Sequence, residues 1–176
     1  MKKLFFLIVA AGFLFYTSCT KMTETVPQGN SVLKSGHKML NFRAHLTGDQ
    51  EVPAVQTLAT GEAIFQVNAD MTEMSYKLIV ANLEDVFMAH IHLGAVGENG
   101  GIVVWLYPSS GSPSLIPGTT NGILAQGVIT ADNLTGTLAG QPLSALIEQM
   151  ESGNSYVNAH TNAHHPGEIR GQISGN

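Results

Sequence analysis

From Leu40 onward, apolar and polar residues alternate along most of the chain, the pattern of strands that bury one face. In NFRAHLT, Phe42, Ala44 and Leu46 alternate with polar residues, and GEAIFQVNA and EMSYKLIVANL keep the same period of two. Further strands are predicted in FMAHIHLG, GILAQGVIT, SYVNAHT and EIRGQIS, with LTGTL as another candidate. The unbroken apolar run GGIVVWLYP predicts a strand buried on both faces.

One segment, QPLSALIEQMESG, departs from this alternation and predicts a short amphipathic helix near residues 142–152. Its apolar residues recur at helical spacing, with a proline at the first turn and a glycine at the end. The helical stripe consists of Leu143, Leu146, Ile147 and Met150. Many short strands separated by Gly, Pro, Asn and Asp predict an all-β fold, a Greek-key β-sandwich. A closed barrel is the main alternative.

The N-terminal residues have the features of an export signal. Two lysines precede an apolar run from Leu4 to Tyr16, which has the length of a signal-peptide core and is too short to span a membrane. Two small residues then precede Cys19, which resembles the lipobox of bacterial lipoproteins, although Tyr16 stands where Leu is usual. The sequence predicts a lipoprotein signal peptide at 1–18 and a lipid on Cys19. An ordinary secretory signal with an incidental cysteine is the alternative.

Cleavage before Cys19 would leave 176 − 18 = 158 residues, the size of one domain. Its formal net charge would be 6 − 13 = −7, because the signal holds two of the eight basic residues and none of the 13 acidic ones. Beyond residue 43 only Lys77 and Arg170 are cationic, which argues against nucleic-acid binding. Residues 19–39 are polar and aperiodic, and we expect a flexible tether there.

Three histidines occupy similar strand positions and are the candidate metal ligands. In MAHIHLG, His90 and His92 share one face of the predicted strand, about 7 Å apart, and the opposite face is assigned to the core. In SYVNAHT, His160 also lies opposite apolar neighbours. If the two strands are adjacent, three neutral imidazoles on the outer face would suit zinc or copper. The other interpretation is structural, with imidazoles that hydrogen-bond strands and loops together.

The remaining polar motifs predict structural roles and no catalytic residue. In GEIRGQI, Arg170 is expected to act as a structural tie that bonds a carboxylate or backbone carbonyls through its planar guanidinium. His164 and His165 lie in a turn, as exposed residues or as a fourth ligand. The chain has no G-x-S-x-G motif, no phosphate loop and no cysteine suited to catalysis, so an enzyme is not favoured.

Three blocks carry a resemblance to a known family: FRAHLTGDQEVPAVQTLATGEAIFQV, MAHIHLGAVGENGGIVVWL and YVNAHTNAHHPGEIRGQI. In order and spacing they resemble the CHRD domain, first described in chordin, over about residues 40–174. The resemblance implies that residues 40–176 form one all-β CHRD domain, and it places the family's recurrent histidines on His90, His92 and His160. In chordin, several copies belong to a secreted protein that binds growth factors of the bone morphogenetic type. Bacterial members are exported single-domain proteins, mostly without known activity.

The AHIHLG block is also similar to the histidine strand of copper/zinc superoxide dismutases, which hold copper on the outer face of a β-sandwich. That similarity implies a superoxide-dismutase-like or immunoglobulin-like sandwich. The chain lacks a bridging His and Asp set for zinc, a disulfide, and a matched arginine that would guard an anion channel. Dismutase activity is therefore not expected from fold analogy.

These observations lead to two hypotheses. The first is a lipid-anchored CHRD-domain protein of the bacterial cell envelope, at the outer membrane or cell surface, or secreted if it carries no lipid. It would be a non-enzymatic binding or structural module whose partners are the membrane, through Cys19, and a protein or glycan ligand. The loops GENGG and SSGSPSLIPGTTNG are candidates for contacting that ligand. The second hypothesis is a copper- or zinc-binding metalloprotein.

Overall fold

The structure, a computed structural model, describes residues 40–175. The predicted signal peptide, Cys19 and the tether lie outside the described residues. Within the described part, the elements in chain order are β1 (Asn41–Thr47), β2 (Thr60–Val67), β3 (Met74–Glu84), β4 (Val86–Leu93), β5 (Ile102–Tyr107), β6 (Thr119–Ile129), α1 (Leu143–Glu151), β7 (Ser155–Thr161), β8 (Ile169–Gln172) and β9 (Ser174–Gly175). No helix between residues 40 and 175 combines the length and the apolar character needed to cross a membrane.

The strands form one antiparallel sheet that nearly closes on itself. Its order is β5-β4-β7-β8-β1-β2-β3-β6, with β9 paired to β1. A single register pair, Thr47 with Arg170, joins β1 to β8 and so connects two four-stranded halves. At the other side the Tyr76 hydroxyl of β3 donates to the Leu106 carbonyl of β5 across the gap. The predicted all-β fold is confirmed, and the arrangement lies between a sandwich and a barrel. Because β7 returns to pair with β4 after β5 and β6, the connections are of Greek-key type.

The predicted alternation sets the inner face of the sheet. In β1, Phe42, Ala44 and Leu46 are buried, while Arg43 and His45 between them are exposed. Strands from both halves contribute to one hydrophobic core, as alternating apolar side chains would require. Each fully buried Leu, Ile or Phe contributes about 1.5–3 kcal/mol relative to an exposed one, so this face dictates which side of every strand points inward.

The structure confirms the predicted helix and differs from two of the strand predictions, those for LTGTL and GGIVVWLYP. The helix is confirmed, and Pro142 stands directly before it. The LTGTL strand is wrong, because the segment contains the 3-10 turn Gly136–Leu138. Gly136 has φ +58°, and a Cβ there would lie 2.3 Å from the Ile102 carbonyl oxygen, so the chain must turn beside β5. In β5, Val103, Val104 and Leu106 are buried, whereas Ile102, Trp105 and Tyr107 are half-exposed. The predicted burial of both faces therefore holds for only part of the strand.

Truncation of the helical stripe should destabilise the fold. Leu146 is fully buried in the core, so Leu146→Ala should lower the free energy of unfolding by about 2–5 kcal/mol through lost burial and a cavity. Urea denaturation followed by circular dichroism measures this change. Glu148→Ala, at an exposed position of the same helix, is the control and should change stability by less than about 0.5 kcal/mol. Equal losses in the two variants would show that the helix does not pack on the core.

Candidate metal centre

The three candidate histidines lie on two adjacent strands. β4 pairs with β7 so that His90 is opposite Asn158 and Met88 is opposite His160. His160 is therefore two positions along β7 from Asn158, the partner of His90, and so lies on the same face of the sheet. The apolar neighbours Ala89 and Ile91 point into the core, and the histidines point to the other face of the sheet. The pairing of two distant segments thus brings all three imidazoles together.

The ring nitrogens of the three histidines converge. One nitrogen from each of His90, His92 and His160 lies within 4.8 Å of the others. His90 Nδ1 is 3.1 Å from His160 Nε2. An ion with metal–nitrogen bonds near 2 Å holds tetrahedral ligands about 3.3 Å apart, so one pair already has this spacing. Closing the site around an ion would need a movement of about 1–2 Å by the third ring.

Backbone carbonyls orient two of the rings. His92 Nδ1 lies 2.9 Å from the Gly100 carbonyl oxygen, and His160 Nδ1 lies 2.9 Å from that of His165. A carbonyl can only accept, so both Nδ1 atoms carry the hydrogen and both Nε2 atoms hold a lone pair. The lone pair of His160 Nε2 faces His90 Nδ1. This is how second-layer hydrogen bonds prepare histidines for metal ions in proteins.

Two nitrogen atoms of the cluster have no hydrogen-bond partner within the described residues. They are His90 Nε2 and His92 Nε2, and both are buried. A buried polar atom without a partner costs about 1–3 kcal/mol, so the protein structure alone does not satisfy this cluster. The histidines therefore have lone pairs to offer to a ligand.

Burial keeps these histidines uncharged. It lowers the pKa of His90 to about 3, with a further decrease from the nearby His160 and His92. Burial likewise lowers the pKa of His160 to about 4, although its hydrogen bond to the His165 carbonyl acts in the opposite direction. The pKa of His92 is lowered by the same cause. Neutral imidazole is the form that binds metal ions, so no proton competes at neutral pH.

The histidines lie on the face of the sheet opposite the core, and this part of that face is not exposed to solvent. His90 is fully buried, and His92 and His160 are 7 % and 5 % exposed. Aromatic rings cover them. Trp105 meets His90 edge-on at 4.3 Å between ring centroids, and Tyr156 stacks on His92 at 4.9 Å. The segments that supply the Gly100 and His165 carbonyls also cover this face, because loops after β4 and β7 fold back over the strands.

Arg170 holds one of these covering loops in place. Arg170 is 1 % exposed, and its guanidinium lies 3.4 Å above the centre of the Tyr156 ring. It donates to the Ala95 and Glu98 carbonyls and to Asn99 Oδ1. The sequence left open whether Arg170 bonds a carboxylate or backbone carbonyls, and in the structure it bonds carbonyls. These bonds hold the loop that leads to Gly100, whose carbonyl orients His92.

Two buried carboxyl groups, those of Glu168 and Glu51, lie near the histidine face. The sequence pattern gave no indication that Glu51 is buried. Both Glu168 oxygens accept hydrogen bonds, from Thr57 and Thr161 hydroxyls. Glu51 is 6 % exposed, and burial raises its pKa to about 7 against the opposing attraction of Arg170. In the sequence it belongs to GDQEVPAV, which has the composition of a turn and carries no periodic signal of burial.

The other histidines in the described residues stay outside the cluster. His45 contacts Glu62 at the surface. His165 is exposed, its carbonyl rather than its ring contacting His160, and His164 is half-exposed. His37 lies outside the described residues. Neither His164 nor His165 belongs to the converging group, which among residues 40–175 has three members.

The fold and the site define an all-β domain with a buried three-histidine cluster on the face opposite its core. Residues 42–173 match the family model of the CHRD domain. This range covers most of the chain, and the chain belongs to the CHRD domain family. Membership indicates a binding or structural module. Comparison with curated proteins found no match, and comparison with solved structures found none.

The buried histidines should make the metal-free protein more stable as pH rises from about 4 to 6.5. Between the folded pKa of His160, about 4, and its ordinary 6.5, the unfolded chain binds a proton that the folded chain excludes. His90 acts in the same direction down to about pH 3. Glu51 opposes this, because between pH 4.5 and about 7 only the folded chain holds its proton, so that contribution is lost as pH rises.

Glu51→Gln separates the two effects. It removes the opposing titration, so the increase of unfolding free energy with pH should become steeper than in the unaltered protein. Urea denaturation at intervals from pH 4 to 7, with a chelator present, measures both slopes. A slope unchanged by the substitution would mean that Glu51 ionises normally in the folded protein.

Proposed function

We propose that this domain is a metal-binding module that holds one copper or zinc ion with His90, His92 and His160. The convergence of three uncharged, buried ring nitrogens within 4.8 Å is the observation that carries the proposal. The ion would be held by Nε2 of His92 and of His160 and by a ring nitrogen of His90, in place of the His90–His160 hydrogen bond.

The donor set determines the class of ion. Imidazole nitrogen suits zinc, copper, nickel and iron, whereas calcium and magnesium require oxygen ligands. Copper binds more tightly than the other divalent ions of this series at nitrogen sites, and zinc commonly uses three histidines with one position open. The proposal concerns binding alone and includes no catalytic step.

A purely structural role for the histidines is the competing hypothesis. It predicts imidazoles whose nitrogens are satisfied by strands and loops. The Nδ1 atoms of His92 and His160 meet that description, but His90 Nε2 and His92 Nε2 are buried without a partner. Burial of such atoms is costly, so an ion that removes part of this cost accounts better for the arrangement.

Replacing one ligand should abolish binding. We expect the chain, purified without a histidine tag, to take up one copper or zinc ion per molecule, measured by elemental analysis and titration calorimetry. His92→Ala should lose this ion because it removes one of three donors. His164→Ala, a half-exposed histidine outside the cluster, should bind as the unaltered chain does. Substoichiometric metal after add-back, or equal binding by the two variants, would exclude the proposal.

We further propose that the domain is anchored by lipid on Cys19 at the bacterial cell envelope, with residues 19–39 as its tether. The support is the signal-like apolar run and the lone cysteine that follows it. A tether would give the domain reach from the membrane toward a protein or glycan partner.

Cys19→Ala should release the protein from membranes. In cells fed a labelled fatty acid, the unaltered chain should carry label and sediment with the membrane fraction, because its acyl chains insert into the bilayer. The Cys19→Ala variant should lack label and lose its membrane association. Ser18→Ala keeps a small residue before the cysteine and is the matched control. Unlabelled wild-type protein would point to ordinary secretion.

A further inference from the structure

We propose that the three-histidine site is selective for monovalent copper over Zn²⁺ and Cu²⁺, an inference that rests on the metal site proposed above. It is carried by the juxtaposition of a buried, uncharged donor set with a buried guanidinium, that of Arg170. The selectivity depends on how much the energy of a bound ion in these surroundings rises with its positive charge.

The donors bring no negative charge to the ion. Three imidazoles leave a bound Cu⁺ with a net charge of one and a bound Zn²⁺ or Cu²⁺ with a net charge of two. The desolvation cost of an ion in a low-dielectric interior grows with the square of its charge, so a divalent ion pays roughly four times that of a monovalent one. Because His90 is fully buried and the other two rings nearly so, this difference applies with little relief from water.

Arg170 adds a fixed positive charge close to the site. Its guanidinium stacks 3.4 Å above the ring of Tyr156, and that ring stacks on His92 at 4.9 Å between centroids. The strand order β4-β7-β8 places Tyr156 between the two, so one aromatic ring separates the guanidinium from a metal ligand. Repulsion from this buried cation is twice as large for a divalent ion.

No carboxylate among the described residues ligates the ion. The converging group contains no aspartate or glutamate. Glu168 is a buried carboxylate near this face, but both of its oxygens accept hydrogen bonds from threonine hydroxyls and so are not available as ligands. Glu51 interacts electrostatically with Arg170 and is also absent from the donor set. The charge of a bound ion is therefore not reduced by a coordinating anion.

The number and character of the contacts fit the same ion. The site offers three protein nitrogens and is covered by aromatic rings. Structural zinc sites use four protein ligands, and zinc sites with three histidines keep an open position for water or substrate. The rings of Trp105, Tyr156 and Phe87 line the histidines, with Phe87 6.3 Å from His160 between centroids. Such polarizable, apolar walls suit a soft cation of low charge better than a strongly hydrated divalent one.

Competition titrations on the full chain test the selectivity. Apoprotein without a tag is titrated with Cu⁺ under anaerobic, reducing conditions, and separately with Zn²⁺ and Cu²⁺, each against a chromophoric chelator of known affinity. Trp105, the only tryptophan, meets His90 edge-on and reports copper occupancy by fluorescence quenching. We expect one Cu⁺ per chain, bound at least about 100-fold more tightly than either divalent ion.

Arg170→Met keeps an apolar stem of similar length but removes the positive charge. It should raise the affinity for Zn²⁺ and so reduce the ratio of Cu⁺ affinity to Zn²⁺ affinity. Lys77→Met removes a distant surface cation and should leave the ratio unchanged. Equal or tighter binding of Zn²⁺ or Cu²⁺ by the unaltered chain overturns the selectivity and leaves the proposed metal site standing. Failure to bind any of the three ions removes the metal site itself. The three titrations of the unaltered chain test the selectivity by themselves, so the test stands even if Arg170→Met does not fold.

Discussion

The pairing of β4 with β7 is the constraint on which the rest of this structure depends. On its inner side the pair buries Ala89 and Ile91 against Val157 and Ala159, all fully excluded from solvent. A slip of one residue would turn these apolar side chains to the opposite face and bring His90 into the core. Burial of the apolar side chains therefore fixes the register of β4 and β7, and this register fixes the positions of the histidines.

The part of the outer face that carries the histidines is buried as well, and this gives the site its chemistry. Strands of an antiparallel sheet commonly leave one face to water, but here the loops after β4 and β7 fold back over it. The result is a polar layer in a low-dielectric setting, where imidazoles stay neutral and unpaired lone pairs are costly. Gly100 and His165 supply carbonyls that orient the rings, and Arg170 holds one loop by its backbone oxygens.

This arrangement links binding to folding. Side chains help to hold the covering loops in place. Arg170 donates to the Glu98 carbonyl, and Glu168 accepts from the Thr161 hydroxyl. A ligand that satisfies the histidine nitrogens in the folded state stabilises that state by mass action. The CHRD family indicates a binding or structural module, and under the proposal made above a bound ligand would strengthen the polar face.

Much of the fold follows from local sequence patterns, and the site does so only in part. The period of two in β1 to β4 and the helical spacing of Leu146 and its neighbours are local properties, so they predict the strands, the helix and the faces of His90 and His92. LTGTL has a strand-like pattern but turns beside β5, because Gly136 approaches the Ile102 carbonyl too closely for any side chain.

The sequence alone determined the strands, their inner faces and the presence of three histidines with the same side-chain direction. Only the tertiary structure decided that β4 and β7 are neighbours, that loops bury the histidine face, and that Glu51 and Arg170 lie beside it. The physical reason is the separation along the chain of the residues that interact. Alternation is set by each strand's own backbone, whereas adjacency, burial and the resulting pKa values depend on segments about 70 residues apart.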